Sequence, residues 1–169
     1  EWPTSAAVYL PGDKVPATGS LFHNPKLSET YARILKEANA AGGVLGRKLE
    51  IEFQDNRCNP AEAVKSVTQM LAEKKYVAIH DGLCSSVVLA IMPLVERAGV
   101  PLVVANGSAT AIAEKSGAGG NKWTFKVNPS DASLLKALID WLEKEGKAGN
   151  IAFLGEDTDY GRAGVSGLT

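Results

Sequence analysis

Two short segments concentrate the residues able to bind or react, Asp81-Gly82-Leu83-Cys84-Ser85-Ser86 and Asn106-Gly107-Ser108-Ala109-Thr110. Each follows a run of apolar β-formers and leads into a helical pattern. Small residues at such a junction leave main-chain N–H groups open at the positive end of a helix dipole, which suits an anion such as a carboxylate. The hydroxyls of Ser85, Ser86, Ser108 and Thr110 can add donors beside them. The same residues serve equally well as helix caps, and both readings stand at this point. Two such loops after neighbouring strands weigh toward binding.

Other chemistries fit less well. His80, Asp81 and Ser85 invite a hydrolase reading, but Ser85 sits in no G-x-S-x-G elbow. Adjacent His80 and Asp81 would also point to opposite faces of a strand. Catalysis is therefore not expected. Cys58, Cys84 and His80 match no zinc spacing, so neither a metal nor another cofactor is expected. Gly42-Gly43-Val44-Leu45-Gly46 follows a helical pattern and precedes a strand pattern, the reverse of a phosphate loop. Trp2, Trp123 and Trp141 read as core or rim packing.

Composition narrows the classes further. With 45% hydrophobic and 22% charged residues the chain reads as an ordinary globular protein. A formal net charge of -1 and the lack of a basic stripe argue against a nucleic-acid surface. No apolar run nears the roughly 20 residues that span a bilayer, so direct membrane insertion is not expected. The chain begins at Glu1 without a basic and then apolar leader, as after removal of a signal peptide or where there was none. Two cysteines allow one bridge in an oxidised compartment or two buried thiols in a reduced one.

The elements that must hold these loops alternate. Strand patterns cover residues 5–10, 48–53, 76–80, 101–105, 123–127 and 150–154. Helical patterns begin near Lys26, Asn59-Pro60, Ser85-Ser86 and Ser130-Asp131, with Ser85 or Ser86 as the cap of the third and a kink expected at Pro93. Asn59-Pro60-Ala61-Glu62 is a strong start, with a capping side chain, a proline suited to the first turn and an early acid. Such alternation predicts an α/β fold with a mostly parallel sheet, and the consecutive apolar residues of 77–79 and 102–104 predict burial on both sheet faces. In that architecture ligands bind beyond the carboxyl ends of the strands, where the two loops fall. Residues 157–162 read as the start of a further helix with nothing to pack against, so the chain reads as truncated.

In order along the chain, several segments carry a family likeness. Asn39-Ala40-Ala41-Gly42-Gly43-Val44-Leu45-Gly46-Arg47 resembles an N-A-x-G-G-x-x-G-R pattern, and Asp55-Asn56-Arg57-Cys58-Asn59-Pro60-Ala61-Glu62-Ala63 a D-x-x-C-x-P-x-x-A pattern. Gly82-Leu83-Cys84-Ser85-Ser86 is similar to G-x-x-C-S-S, Ala98-Gly99-Val100-Pro101 to A-G-[IV]-P, and Ser108-Ala109-Thr110 to S-A-T. Asn128-Pro129-Ser130-Asp131 resembles x-P-S-D, and Asp157-Thr158-Asp159-Tyr160-Gly161 resembles D-x-x-x-Y-G. These are patterns of the leucine/isoleucine/valine-binding protein family, the type I periplasmic solute-binding proteins of ABC importers.

The resemblance implies a doubly wound, two-lobed clamshell of roughly twice this length. Residues 1–127 would form most of the first lobe, the hinge would cross near Val127-Asn128, and 128–169 would begin the second. It implies a non-enzymatic, extracytoplasmic protein whose signal peptide is removed and which passes a small amino acid or related organic acid to a membrane permease. The alternative is the ligand-binding domain of a receptor or sensor of the same fold. By family position Ser85 and Thr110 would hold the ligand carboxylate, the Ser108 carbonyl its ammonium, and Tyr160 would close over it. His23 falls where many members carry an aromatic residue, while residues 11–22 and Asn106-Gly107 depart from the family pattern. The matched cysteines, Cys58 and Cys84, are bridged in the family, and their placement at neighbouring strand ends of a βαβ unit suits a disulfide.

Overall fold

The computed structural model describes residues 9–10, 12, 14–15, 25–81, 83–147 and 149–167. The chain divides into two compact units, Glu1–Phe53 and Gln54–Thr169.

The first unit carries helix α1, Pro25–Ala40. Its end explains the run of small residues at 40–46. Val44 and Arg47 exchange main-chain hydrogen bonds of 2.9 and 3.0 Å across a tight turn, with Leu45 and Gly46 at φ of 52° and 74°. Gly43 has φ +72°, and a Cβ there would run into the Arg47 carbonyl. Residues 48–53 form no strand. The Asn39 amide takes both main-chain groups of Leu49, donating from Nδ2 to its carbonyl at 2.9 Å and accepting its N–H on Oδ1 at 2.7 Å. A side chain thus occupies the groups a ladder would use. Of the strand expected at 5–10, residues 5–8 lie outside the described residues, and Tyr9 and Leu10 are not in a strand.

The second unit holds a three-stranded parallel sheet in the order β1 (Ile79–Asp81), β2 (Leu102–Val104), β3 (Thr124–Lys126). Ile79 pairs with Leu102 and Asp81 with Val104; Leu102 pairs with Thr124 and Val104 with Lys126. Helix α3, Ser85–Ala98, joins β1 to β2, and the short α4, Thr110–Lys115, joins β2 to β3. Helix α2, Pro60–Glu73, precedes β1 and packs on α3. The core is one cluster: Ala63 and Val67 from α2, Val87, Val88, Ile91, Met92 and Val95 from α3, Leu102 and Val104 from β2, with Ile79, Ala109 and Ile112. Pro93 lies on the exposed side of α3 and does not end it. Within this unit Ile79, Leu102, Val104 and Thr124 are buried, whereas Phe125 on the other sheet face is 51% exposed. The two-sided burial expected of the strands is met here on one face.

Helix starts follow the sequence closely at α2. Asn59 Oδ1 accepts the N–H groups of Ala61 at 2.8 Å and Glu62 at 3.2 Å, with Pro60 in the first turn. Just upstream, Asp55 Oδ1 accepts from Arg57 N–H at 2.8 Å and Asn56 Oδ1 from Cys58 N–H at 3.0 Å. These two turns hold Arg57 and Cys58 at φ of 52° and 53°, a conformation L-residues seldom adopt. Cys58 is bonded to Cys84, with Cα atoms 5.6 Å apart, inside the roughly 4.4–6.8 Å range of disulfides.

Beyond β3 come α5, Asp131–Lys144, and α6, Asp159–Ser166. Residues 150–154 form no strand; Ile151, Phe153 and Leu154 are exposed at 52%, 45% and 99%. Their apolar character is strand-like, but they pair with none of the three described strands. Helix α6, expected to have no partner, packs against α3 and α5, and Ala163 reaches the core cluster. Gly161 and Gly164 are both buried, and a Cβ on Gly164 would meet the Phe153 ring. A Cβ on Gly161 would meet the Glu156 carbonyl, and neither backbone can move aside cheaply. Gly161→Ala is expected to destabilise the unit by about 1–3 kcal/mol, read as a fall in the chemical-denaturation midpoint. An unchanged midpoint would show that Glu156 does not lie this close to Gly161 in solution. Among the described residues no helix is long and apolar enough to cross a membrane.

Candidate functional site

The parallel sheet brings the ends of β1 and β2 side by side, and with them the two hydroxyl-bearing loops. Cys84, not Ser85 or Ser86, occupies the cap position of α3, with φ -103° and ψ 117°, and its side chain makes no capping hydrogen bond. The expectation that a serine caps this helix is thereby corrected. Its physical reason is the disulfide: Cys84 is bonded to Cys58 and brings the chain into the helix one residue before the first serine. The first intrahelical bond is Val88 N–H to Cys84 O, 3.1 Å. The N–H groups of Ser85, Ser86 and Val87 precede it and have no acceptor within the helix.

Freed from capping, the Ser85 hydroxyl is used elsewhere. Ser85 is 2% exposed, and its oxygen accepts the N–H of Ala109, itself 1% exposed, at 3.2 Å. One side chain thus ties the loop after β1 to the loop after β2. Ser86 lies half-buried beside it. Thr110 behaves in the same way from the other loop: its Oγ1 accepts the N–H of Ala132 at 3.2 Å. Helix α4 has only six residues and Ala109 at its cap, so its dipole adds little. The hydroxyl is what Thr110 contributes. Ser108 is 8% exposed, and its carbonyl accepts Asp131 N–H at 2.8 Å.

The structure therefore brings Ser85, Ser108, Ala109 and Thr110 together and sets the start of α5 against them. Tyr160 stands on a different element. It is 53% exposed in the first turn of α6, and among the described residues no hydrogen bond joins it to the loops. His23 lies outside the described residues. His80 is exposed and one residue from Asp81 on β1, on the face opposite its neighbours by strand alternation.

Sequence reasoning missed the groups that line up behind the loops. Asn128 Nδ2 donates to the Asn106 carbonyl at 3.1 Å. The Lys126 ammonium donates to Asn128 O at 2.7 Å, Asn128 Oδ1 at 3.1 Å and Pro129 O at 2.7 Å. Burial pushes the Lys126 ammonium below its ordinary pKa, and the charge of nearby Asp131 opposes that shift. Asp131 is 6% exposed, and no hydrogen bond reaches its Oδ2. The Asn-Pro-Ser-Asp run was the available signal, but it gave no hint that Lys126 serves it.

A family model described as periplasmic binding protein matches residues 25–169. The chain belongs to this family. An amino acid binding protein of Pseudomonas aeruginosa is 26% identical over 151 residues, covering 87% of this chain and 38% of its own length. A Leu/Ile/Val-binding protein homolog of Brucella abortus is 29% identical over 162 residues, covering 89% of this chain and 38% of its own. The chain thus spans 38% of the length of either curated relative. Among solved structures, a periplasmic binding protein type 1 from Bordetella pertussis matches with TM-score 0.64 and 28% identity, over 79% of this chain and 36% of that one. An ABC transporter substrate-binding protein from Desulfitobacterium hafniense matches with TM-score 0.72 over 86% of this chain and 42% of that one. At 18% identity the latter likeness is one of fold. The fold is the type I periplasmic-binding-protein fold.

Proposed function

We propose that this chain contributes the carboxylate-holding wall of an extracytoplasmic solute-binding protein, which captures an amino acid or related organic acid and delivers it to the membrane permease of an ABC importer. In this reading residues 1–127 belong to the first lobe of the clamshell and 128–169 begin the second. The Cys58–Cys84 disulfide suits an oxidising, extracytoplasmic compartment.

One observation carries the reading. Ser85 Oγ and Thr110 Oγ1 both accept main-chain N–H groups, from Ala109 and Ala132. An acceptor bond on the oxygen leaves each hydroxyl its hydrogen to give, so in this reading both serve an occupant as donors. The open N–H groups at the start of α3 are donors as well. A site furnished with donors favours an anion, and a carboxylate offers enough lone pairs to use them all. Ser85 and Ser108 are buried and Thr110 half-buried, so such bonds form away from water, where they are strongest.

Matched pairs of acid and amide test this directly. Calorimetry of the intact protein with L-leucine and L-leucinamide, and with 4-methylpentanoate and its amide, compares occupants differing only at the carboxyl group. The acid is expected to bind at least about tenfold more tightly than its amide in each pair that binds, the scale of one charge-assisted hydrogen bond. Equal affinities within the pairs would remove the carboxylate from the site.

A further inference from the structure

Lys126 closes β3, and its side chain meets three oxygens, the Asn128 carbonyl, the Asn128 amide oxygen and the Pro129 carbonyl. An ammonium has three N–H donors, so Lys126 is fully engaged. By taking Asn128 Oδ1 it also decides which end of that amide faces the other way. Nδ2 is left to donate, and it reaches the Asn106 carbonyl at 3.1 Å. Further along, Asp131 N–H meets Ser108 O at 2.8 Å and Ala132 N–H meets Thr110 Oγ1 at 3.2 Å. Every second residue of the 106–110 loop thus receives a donor from the 128–132 segment.

The geometry points to Lys126 as a positioning residue for the solute site: its ammonium holds 128–132 against the loop and so fixes the Thr110 hydroxyl as a donor. This rests on the carboxylate reading above. Without the ammonium, the three oxygens it gathers have no shared donor, and two carbonyls and an amide oxygen repel one another at that spacing. The segment then turns away, and Ala132 N–H leaves Thr110. The threonine oxygen, no longer committed as an acceptor, can rotate its hydrogen toward any nearby carbonyl instead of toward the solute. Lys126 acts through Asn128 and Ala132 and touches no solute itself.

A double-mutant cycle on the intact protein tests the chain of contacts, with L-leucine as the calorimetric probe at a temperature far below melting. Thr110→Val alone is expected to weaken leucine about tenfold. Lys126→Met is expected to weaken it as well, and in that background Thr110→Val should cost less than about threefold, since the hydroxyl is already misdirected. Asn128→Ala, which breaks one link and keeps the lysine, should shrink the Thr110 effect in the same direction and serves if Lys126→Met does not fold. A lysine that only added stability would lower the melting temperature while the two affinity effects simply multiplied; that result overturns the proposal and leaves the carboxylate site standing. An unchanged affinity on Thr110→Val in the otherwise natural protein also overturns the proposal, and the acid–amide pairs then decide the carboxylate reading separately.

Discussion

Reduction of the Cys58–Cys84 bridge is expected to lower the unfolding free energy by about 3.5 kcal/mol, from the chain entropy of a loop this long. The cysteines are 26 residues apart in sequence, and the loop between them contains α2 and β1. Both ends depend on the bond. Cys58 follows Arg57 in the left-handed region, held there by two side-chain turns that alone contribute about 1 kcal/mol each. Cys84 is the cap of α3 but supplies no capping hydrogen bond, so without the bridge little fixes the point at which that helix begins. Urea denaturation with and without reductant measures the difference, and thiol titration of the denatured, unreduced protein should find none free. A loss below about 1 kcal/mol would mean that the packing of α2 on α3 already closes the loop in the unfolded ensemble.

The parts of this fold that were legible in the sequence are those decided locally. Asn59-Pro60 states its own helix start, because the cap, the proline and the bonds from Ala61 and Glu62 lie within four residues. The patterns at 101–105 and 123–127 contain β2 and β3, while that at 76–80 shares only Ile79 and His80 with β1, which starts three residues later than expected. Residues 48–53 and 150–154 also carry strand-like patterns and formed no strand. A strand needs a partner, and local pattern does not specify one: Asn39 took the Leu49 groups, and the second segment gained no ladder. The site was legible to a similar depth. That Ser85 and Thr110 stand on adjoining loops followed from strand order. That each spends its oxygen on a main-chain N–H, from a residue 24 or 22 positions away, depends on register and packing. Lys126 left little mark because two of its three partners are main-chain carbonyls, which every residue has.

Ser85→Ala should show two separate losses, and their separation decides what the serine is for. The first is structural. Ala109 N–H is buried and has Ser85 Oγ as its acceptor; removing that oxygen leaves a buried donor unpaired, at a cost of about 1–3 kcal/mol in stability. Capping adds nothing to this figure, because Cys84 holds the cap position. The second loss is functional. With its oxygen occupied, the Ser85 hydroxyl has a hydrogen to donate, and a donor to a carboxylate is worth about 1–3 kcal/mol, or roughly 5- to 150-fold in affinity. The open N–H groups of the α3 first turn remain in the variant, so binding should be weakened, not abolished. Leucine affinity measured well below the melting temperature reports the second loss free of the first, because the folded fraction is then near one. Stability falling by the expected amount while leucine affinity stays within about threefold of the natural protein would make Ser85 a tether for Ala109 alone, and the carboxylate would have to be held elsewhere.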